Sequence, residues 1–403
     1  MSAYTELLKT RGVARIIAAQ LTARFPFGML SLALLLHIQS VYDSYAIAGL
    51  VLAATSVGQA IAGPLTSRWM GIWGMRRVLT LTLSVCAVAI AVMATVDLPI
   101  PLFMVVGFLA GLSMPPIQPA VRTIYPKMVN SRQLTPLFSL DASAQEIIWV
   151  VGPVLTTVVA TQISTVLALW VVIVFLVGGG IWFIASPEVG QVRIPRSPRR
   201  FGVVLRKPSV IIGTAVGFLL VGSCAAIEAG VVATYRDDGA EAGIVLSIWA
   251  VGSLIGGLSF GSLPLAPWSL ARRMAIVTVG LTAASFALGN VWWLATVLFV
   301  SGAGIAPALA MIFAITSATV RFSDTAEAYG WIGTGQLIGA ALGSAFAGVL
   351  IDNSGAIGAY WVAGSFALLG ALLAAVSVRW IPDLRGREAG PIPDTEPVAI
   401  QPS

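Results

Sequence analysis

Charge is scarce in this chain. Only 10% of its 403 residues are Asp, Glu, Lys or Arg, while 58% are apolar, against roughly 25% charged in soluble domains. Water must be met by polar groups, so a soluble globule of this length is excluded and an integral membrane protein is expected. Cysteine and histidine are scarcer still, with only Cys86, Cys224 and His37. Both cysteines lie in apolar runs and read as small core residues, not a disulfide framework. One histidine with no Cys or carboxylate cluster around it leaves no zinc site. A P-loop and a nucleophile–base set are both missing, so neither ATP use nor an enzyme is expected, and no cofactor.

Long apolar runs are what the chain does have. Crossing about 30 Å of hydrocarbon takes about twenty apolar residues. Twelve such runs fall near 15–38, 44–66, 77–96, 99–121, 135–159, 164–185, 209–234, 241–262, 273–290, 293–318, 325–351 and 357–380. The first is too long for a signal peptide and lacks a small-residue cleavage site, so it counts as helix 1.

Basic residues fall in every second loop. Lys9, Arg11 and Arg15 precede helix 1; Arg68, Arg76 and Arg77 follow helix 2; Arg122, Lys127 and Arg132 follow helix 4. The middle loop has Arg193, Arg196, Arg199, Arg200, Arg206 and Lys207, and Arg272, Arg273, Arg321, Arg379, Arg385 and Arg387 continue the pattern. The alternate loops hold one basic residue, Arg236, beside Asp237, Asp238 and Glu241. By the positive-inside rule both termini are cytoplasmic and the helix count is even. The net charge of +6 is thus spread by topology, which argues against a nucleic-acid partner.

The chain also repeats itself. Residues 48–63, AGLVLAATSVGQAIAG, align without a gap on 242–257, AGIVLSIWAVGSLIGG, and agree at half the positions, Gly63 falling on Gly257. A shift of 191 sets GLSMPP at 111–116 on GAGIAP at 302–307, Gln145 on Gln336 and Gly152 on Gly343. Helices 2, 4 and 5 therefore recur as 8, 10 and 11 in the same direction, a parallel repeat about an axis along the membrane normal. The fold class follows: an all-α membrane protein of twelve transmembrane helices in two six-helix halves. The division is 1–187 for the first half, 188–207 for a Pro- and Arg-rich cytoplasmic linker, 208–381 for the second half and 382–403 for a disordered tail.

At this point the chain resembles the major facilitator superfamily of secondary transporters, over all but its tails. The loop after helix 2, GPLTSRWMGIWGMRR, keeps Gly63, Leu65, Arg68, Gly74, Arg76 and Arg77 of the family pattern G-x-L-x-D-R followed by G-x-R-R/K, but Ser67 replaces the Asp. The resemblance implies a cytoplasmic gate latch built on Arg68, Arg76 and Arg77, with Asp141 as substitute anion. Helix 5, SAQEIIWVVGPVLTT, shares Gly152 and Pro153 with the antiporter motif of proton-driven exporters, although Ile148, Thr156 and Thr157 stand where glycines are expected. The resemblance implies alternating access by a monomer, powered by a proton gradient and not a cofactor.

An ionisable group in hydrocarbon costs roughly 2.5–3.5 kcal/mol on insertion scales, so each needs a reason. Arg24, Asp141, Glu146 and Glu228 are the four. At about 1.5 Å per residue, Arg24 and Glu146 both lie near the midplane, about 14 and 17 Å deep. Their pairing is expected, either as a proton-coupling switch or as a static brace, with Pro26 bending helix 1 to aim Arg24. Asp141 reads as a cytoplasmic gate residue with Arg76 or Arg122, or as a solvated helix-end acid. Glu228 reads as an outer gate or a snorkelling rim charge.

Asp141, Gln145, Trp149 and Gly152 share one arc of helix 5 at about 100° per residue. Of these, Gln145 and Trp149 form the expected substrate cavity with Gln118, Gln336 and Glu228, unless the amides only join helices. Pro116 and Pro307 mark matched helix breaks, the sequence pointer to a midplane site. Gly335, Gly339 and Gly343 form a ladder expected at the seam between halves, as do Gly252 and Gly256. Trp69, Trp182, Trp268, Trp292, Trp293 and Trp380 lie near run ends, as interface anchors do.

The reading is a multi-pass secondary transporter of a bacterial-type inner membrane, embedded in lipid, exporting a small amphipathic or aromatic compound against protons. A sugar or metabolite carrier is the rival within the class; a non-transporting membrane sensor is the rival outside it. A tag placed in 190–207 should be reachable only from the cytoplasm, and one beside Asp43, Asp97 or Asp352 only from outside. Labelling with an impermeant reagent checks this, and the opposite pattern would overturn the orientation.

Overall fold

The computed structural model describes residues 2–235, 239–260, 263, 265–385 and 390–394. Arg236, Asp237, Asp238 and Arg387 lie outside the described residues. Among the described residues, twelve helical passes follow a short helix Ser2–Lys9. They are α1 (Val13–Tyr42), α2 (Tyr45–Trp73), α3 (Met75–Thr95), α4 (Ile100–Met128), α5 (Ser131–Gln162), α6 (Thr165–Ala185), α7 (Pro208–Thr234), α8 (Gly239–Phe260), α9 (Ser269–Ala284), α10 (Val291–Thr319), α11 (Phe322–Ser354) and α12 (Ile357–Val376). Eleven are long and apolar enough to cross a membrane. The other, α9, has 16 residues, about 24 Å of helix.

Local chemistry sets the boundaries. Ser44, Asn130, Ser164 and Asn290 each accept a backbone N–H in the first turn of the following helix, satisfying a donor that helix geometry leaves free. Gly74 turns the chain between α2 and α3 at φ 89°, a conformation costly for a residue with Cβ. Consecutive passes alternate direction, so the helix Ser2–Lys9, the segment after α12 and the 186–207 connector share one end of the bundle, the connector end.

Helix breaks differ between the halves. In α4 the helix stops at Leu112 and restarts at Ile117, because Pro115 and Pro116 together remove two donors. The matched break expected at Pro307 is absent: α10 runs through it. A single proline leaves only one donor missing, and Arg273 Nη1 binds the Pro307 carbonyl at 2.9 Å. Pro26 is likewise carried inside α1. A π-helical turn at Phe175–Gly179 interrupts α6. There Gly179 abuts the Thr22–Ala23 backbone, where a Cβ would lie 2.5 Å from the Ala23 nitrogen.

The glycine ladders also sit elsewhere than expected. Gly335, Gly339 and Gly343 pack on Thr214, Phe218 and Gly222 of α7, and Gly252 and Gly256 on Phe299 and Ala303 of α10. All of these contacts lie within the second half. Gly152 meets Gly28 of α1, within the first half, with Cβ-to-backbone spacing of 3.2 Å. Small residues let backbones approach closely, and here they bind each half together internally.

The seam between halves uses other glycines. A Cβ on Gly330 of α11 would lie 2.5 Å from the Gly63 oxygen of α2, and Gly257 of α8 is filled by Ser143 of α5 and Ala306. Thr334 Oγ1 donates to Ala60 O at 2.8 Å, and Ser139 Oγ and Tyr4 Oη donate to Gly257 O at 2.6 and 3.2 Å. Phe138 packs edge-on to Tyr329, centroids 6.4 Å apart. All of this lies between mid-helix and the connector end. Beyond the level of Ala60 and Glu146, no hydrogen bond or ion pair joins the halves among the described residues. Part of the expected disordered tail is held: Ile392 pairs with Arg321, and Ser323 Oγ donates to Asp394 at 2.6 Å.

Two leucines should separate these roles. Gly339→Leu would overpack α7 within one half, a cost of about 1–3 kcal/mol, and should lower the melting temperature. Gly330→Leu should instead leave stability closer to the parent and make a cysteine at Ala60 more reactive, because it wedges only the seam. Thermal unfolding and thiol labelling of both variants check this; equal destabilisation with unchanged labelling would contradict it.

Candidate functional site

The deepest polar feature is one carboxylate serving two guanidinium groups. Asp141 Oδ1 accepts from Arg24 Nη1 at 3.0 Å, and Oδ2 accepts from Arg122 Nε at 2.8 Å. Exposure is 0% for Asp141, 3% for Arg24 and 1% for Arg122, so each charge depends on the others. Gln20 donates to Asp141 Oδ1 at 3.0 Å and accepts from Arg24 Nη1 at 2.8 Å. Gln145 accepts from Arg24 Nη2. Gln118, with its oxygen turned toward Arg122, accepts from that guanidinium at 2.5 and 3.0 Å. Phe313 of the second half caps the same guanidinium 3.5 Å from its ring centroid, a cation–π contact across the seam.

This corrects the expected Arg24–Glu146 pair. Asp141 and Gln145 are four residues apart and share a face of α5, toward α1. Glu146, next to Gln145, is turned by about 100° and looks across the seam instead. Its Oε1 accepts from Ser253 Oγ of α8 at 2.8 Å. Glu228 of α7 lies close enough for the two charges to interact, and Cys224 feels both. Glu146 and Glu228 have no ion-pair partner among the described residues. They lie in opposite halves.

The gate residues are also redistributed. Arg68 pairs with Glu327 of α11 at 2.5 Å, not with Asp141; with Ser67 in place of the acid, the anion comes from the other half. Arg68 also donates to Arg199 O, Gly202 N donates to Glu327 at 2.8 Å, and Ser197 Oγ donates to Asp324 at 2.5 Å. Asp141 does bind Arg122, but not Arg76, which donates to the Ile184 and Ser186 carbonyls at 3.1 and 3.2 Å. Arg77 is exposed.

The amide pair of the expected cavity is not assembled. Gln145 is taken by Arg24, and Gln336 lies against Gly217 of α7, its Nε2 buried without a partner. Trp149 is 51% exposed, one turn beyond Gln145. Ser253 and Glu327 escaped the sequence reading. Serine carries no charge signal, and Glu327 lies at a helix start where acids are ordinary.

Comparison with known proteins follows the same lines. The sequence profile of the Major Facilitator Superfamily matches residues 16–263 and again 231–401. No curated protein matches the chain. Solved structures resemble it over nearly their whole length. The human organic anion transporter MFSD10 (TETRAN) is 15% identical with TM-score 0.70, covering 90% of this chain and 99% of its own. A bacterial homologue of the iron transporter ferroportin, in an outward-facing state, is 14% identical with TM-score 0.71, covering 92% and 99%. The E. coli fucose:proton symporter FucP is 14% identical with TM-score 0.68, covering 91% and 99%. At these identities the likeness is one of fold.

The triad predicts an asymmetry. Asp141→Asn leaves two buried guanidinium groups without a counter-charge and should cost about 3–5 kcal/mol. Glu146→Gln strands no cation and should cost about 0.5–1.5 kcal/mol, one hydrogen bond. Thermal unfolding of the purified variants checks this; comparable losses would restore the Arg24–Glu146 pairing.

Proposed function

The chain belongs to the Major Facilitator Superfamily, and from that premise we propose that it is a proton-coupled exporter of a small amphipathic or aromatic compound. Its halves rock about the cleft between them, and Glu146 is the group that takes up and releases the proton. It works as a monomer in the inner membrane with both termini cytoplasmic.

One observation carries this reading. Glu146 sits where the seam ends and bonds Ser253 of the other half, with no cation paired to it among the described residues. An intramembrane acid without a structural partner is a functional group by default. Arg24 cannot serve as the switch, because its guanidinium is committed to Asp141, Gln20 and Gln145.

The exposed ring of Trp149 near this acid supports an aromatic or amphipathic substrate. A sugar would need several free polar groups between the halves, and the two amides expected to supply them are engaged by Arg24 or turned into α7. With the basic loops on the cytoplasmic side, the seam closes the inner end. That agrees with the outward-facing state of the bacterial ferroportin homologue.

Liposomes with an imposed pH gradient, screened against amphipathic aromatic compounds, test the proposal. The parent should accumulate substrate against its gradient and move protons in the opposite direction. Glu146→Gln should still exchange substrate downhill while losing the gradient-driven component. Parental proton coupling in Glu146→Gln would overturn the assignment.

A further inference from the structure

The two seams are related by the internal repeat, and they differ at one rung. At the α2–α11 seam, Gly63 meets Gly330 and Thr334 binds Ala60 O. At the α5–α8 seam, Gly257 meets Ser143 and receives the Ser139 hydroxyl. The repeat sets Gly63 on Gly257, Ser139 on Gly330 and Ser143 on Thr334. Each seam is therefore an antiparallel zipper of small residues running from the connector end to mid-membrane. The next rung of the α5–α8 zipper is Glu146 with Ser253. Its counterparts in the repeat are Leu337 and Gln59, which hold no ionisable group. One zipper thus ends in a group that can change charge, and the other cannot.

Ser253 is 1% exposed, so its hydroxyl has little access to water as an alternative acceptor. A hydroxyl donating to an ionised carboxylate makes a stronger bond than one donating to a neutral carboxyl. We propose that Ser253 is the positioning residue that ties the charge on Glu146 to closure of the connector end. Ionised Glu146 holds the last rung and keeps the far end of the cleft open. Protonated Glu146 releases it, so the zipper can part from mid-membrane downward and the far end can close. Among the described residues, the other ionisable groups whose charge acts on Glu146 are Glu228 and Cys224, both on α7. The inference rests on the reading of Glu146 as the proton carrier.

The test reads the far end directly. Gly49 and Gly243 correspond in the repeat, lie on α2 and α8, and have open space where a Cβ would stand. In a Cys86→Ala, Cys224→Ala background, spin labels on Gly49→Cys and Gly243→Cys report their separation in lipid nanodiscs as pH is varied. The parent distance should shorten as pH falls. Ser253→Ala should lose that response, and Ser253→Thr, which restores the hydroxyl, should recover it. A parental response in Ser253→Ala, no response in the parent, or failure of Ser253→Thr to recover what Ser253→Ala loses would each overturn the inference. Glu146→Gln separates the two claims. If it responds like the parent, the proton-carrier reading fails. If it is unresponsive while Ser253→Ala responds, only the role of Ser253 fails.

Discussion

The cost of leaving a charge unpartnered inside a membrane governs how this molecule is arranged. Arg24 and Arg122 arrive on different helices of the first half, and one carboxylate, Asp141, meets both. Three glutamines complete the shell. Because Asp141 settles both guanidinium groups, no cation is left for Glu146, one residue past Gln145. The acid that pairs with the arginines and the acid that reaches across the seam are thus separated on one helix by little more than a turn. The first belongs to the fold; the second is free for function.

The same triad reaches the other half. Phe313 lies over Arg122 from the opposite half, so opening the connector end would uncover a buried cation. Arg68 with Glu327, and the connector's hydrogen bonds to Asp324 and Glu327, close the same end nearer its surface. Charge therefore secures the closed end at two depths, while the zippers of small residues fit the halves together between them. No comparable set joins the halves at the far end among the described residues.

Much of this was legible in the sequence. Twelve apolar runs, alternating loop charge and the 191–194-residue repeat together specify a two-half bundle, because each reports on bulk burial, topology or symmetry. The four intramembrane charges were legible too, since their rarity singles them out. Their pairing was not. Depth along a helix can be counted in residues, but Gln145 and Glu146 differ only in azimuth, and azimuth decides which neighbour is met. The glycine ladders failed for the same reason: Gly335, Gly339 and Gly343 announce close packing without saying against which helix. Gly63 and Gly257, the last residues of the repeated segment, were the ones that meet across the halves. Pro307 misled because one proline removes a single donor, which α10 carries inside its helix, whereas Pro115 and Pro116 remove two in succession.

Infrared difference spectroscopy of the protein in lipid, taken between mildly basic and mildly acidic pH, tests the division of labour between the two acids most directly. A carboxyl group that gains a proton shows a new C=O stretch well separated from the carboxylate bands. The account predicts such a band in the parent, its loss in Glu146→Gln, and its persistence in an Asp141→Asn protein stabilised enough to measure. A band that survives in Glu146→Gln and vanishes in Asp141→Asn would contradict it.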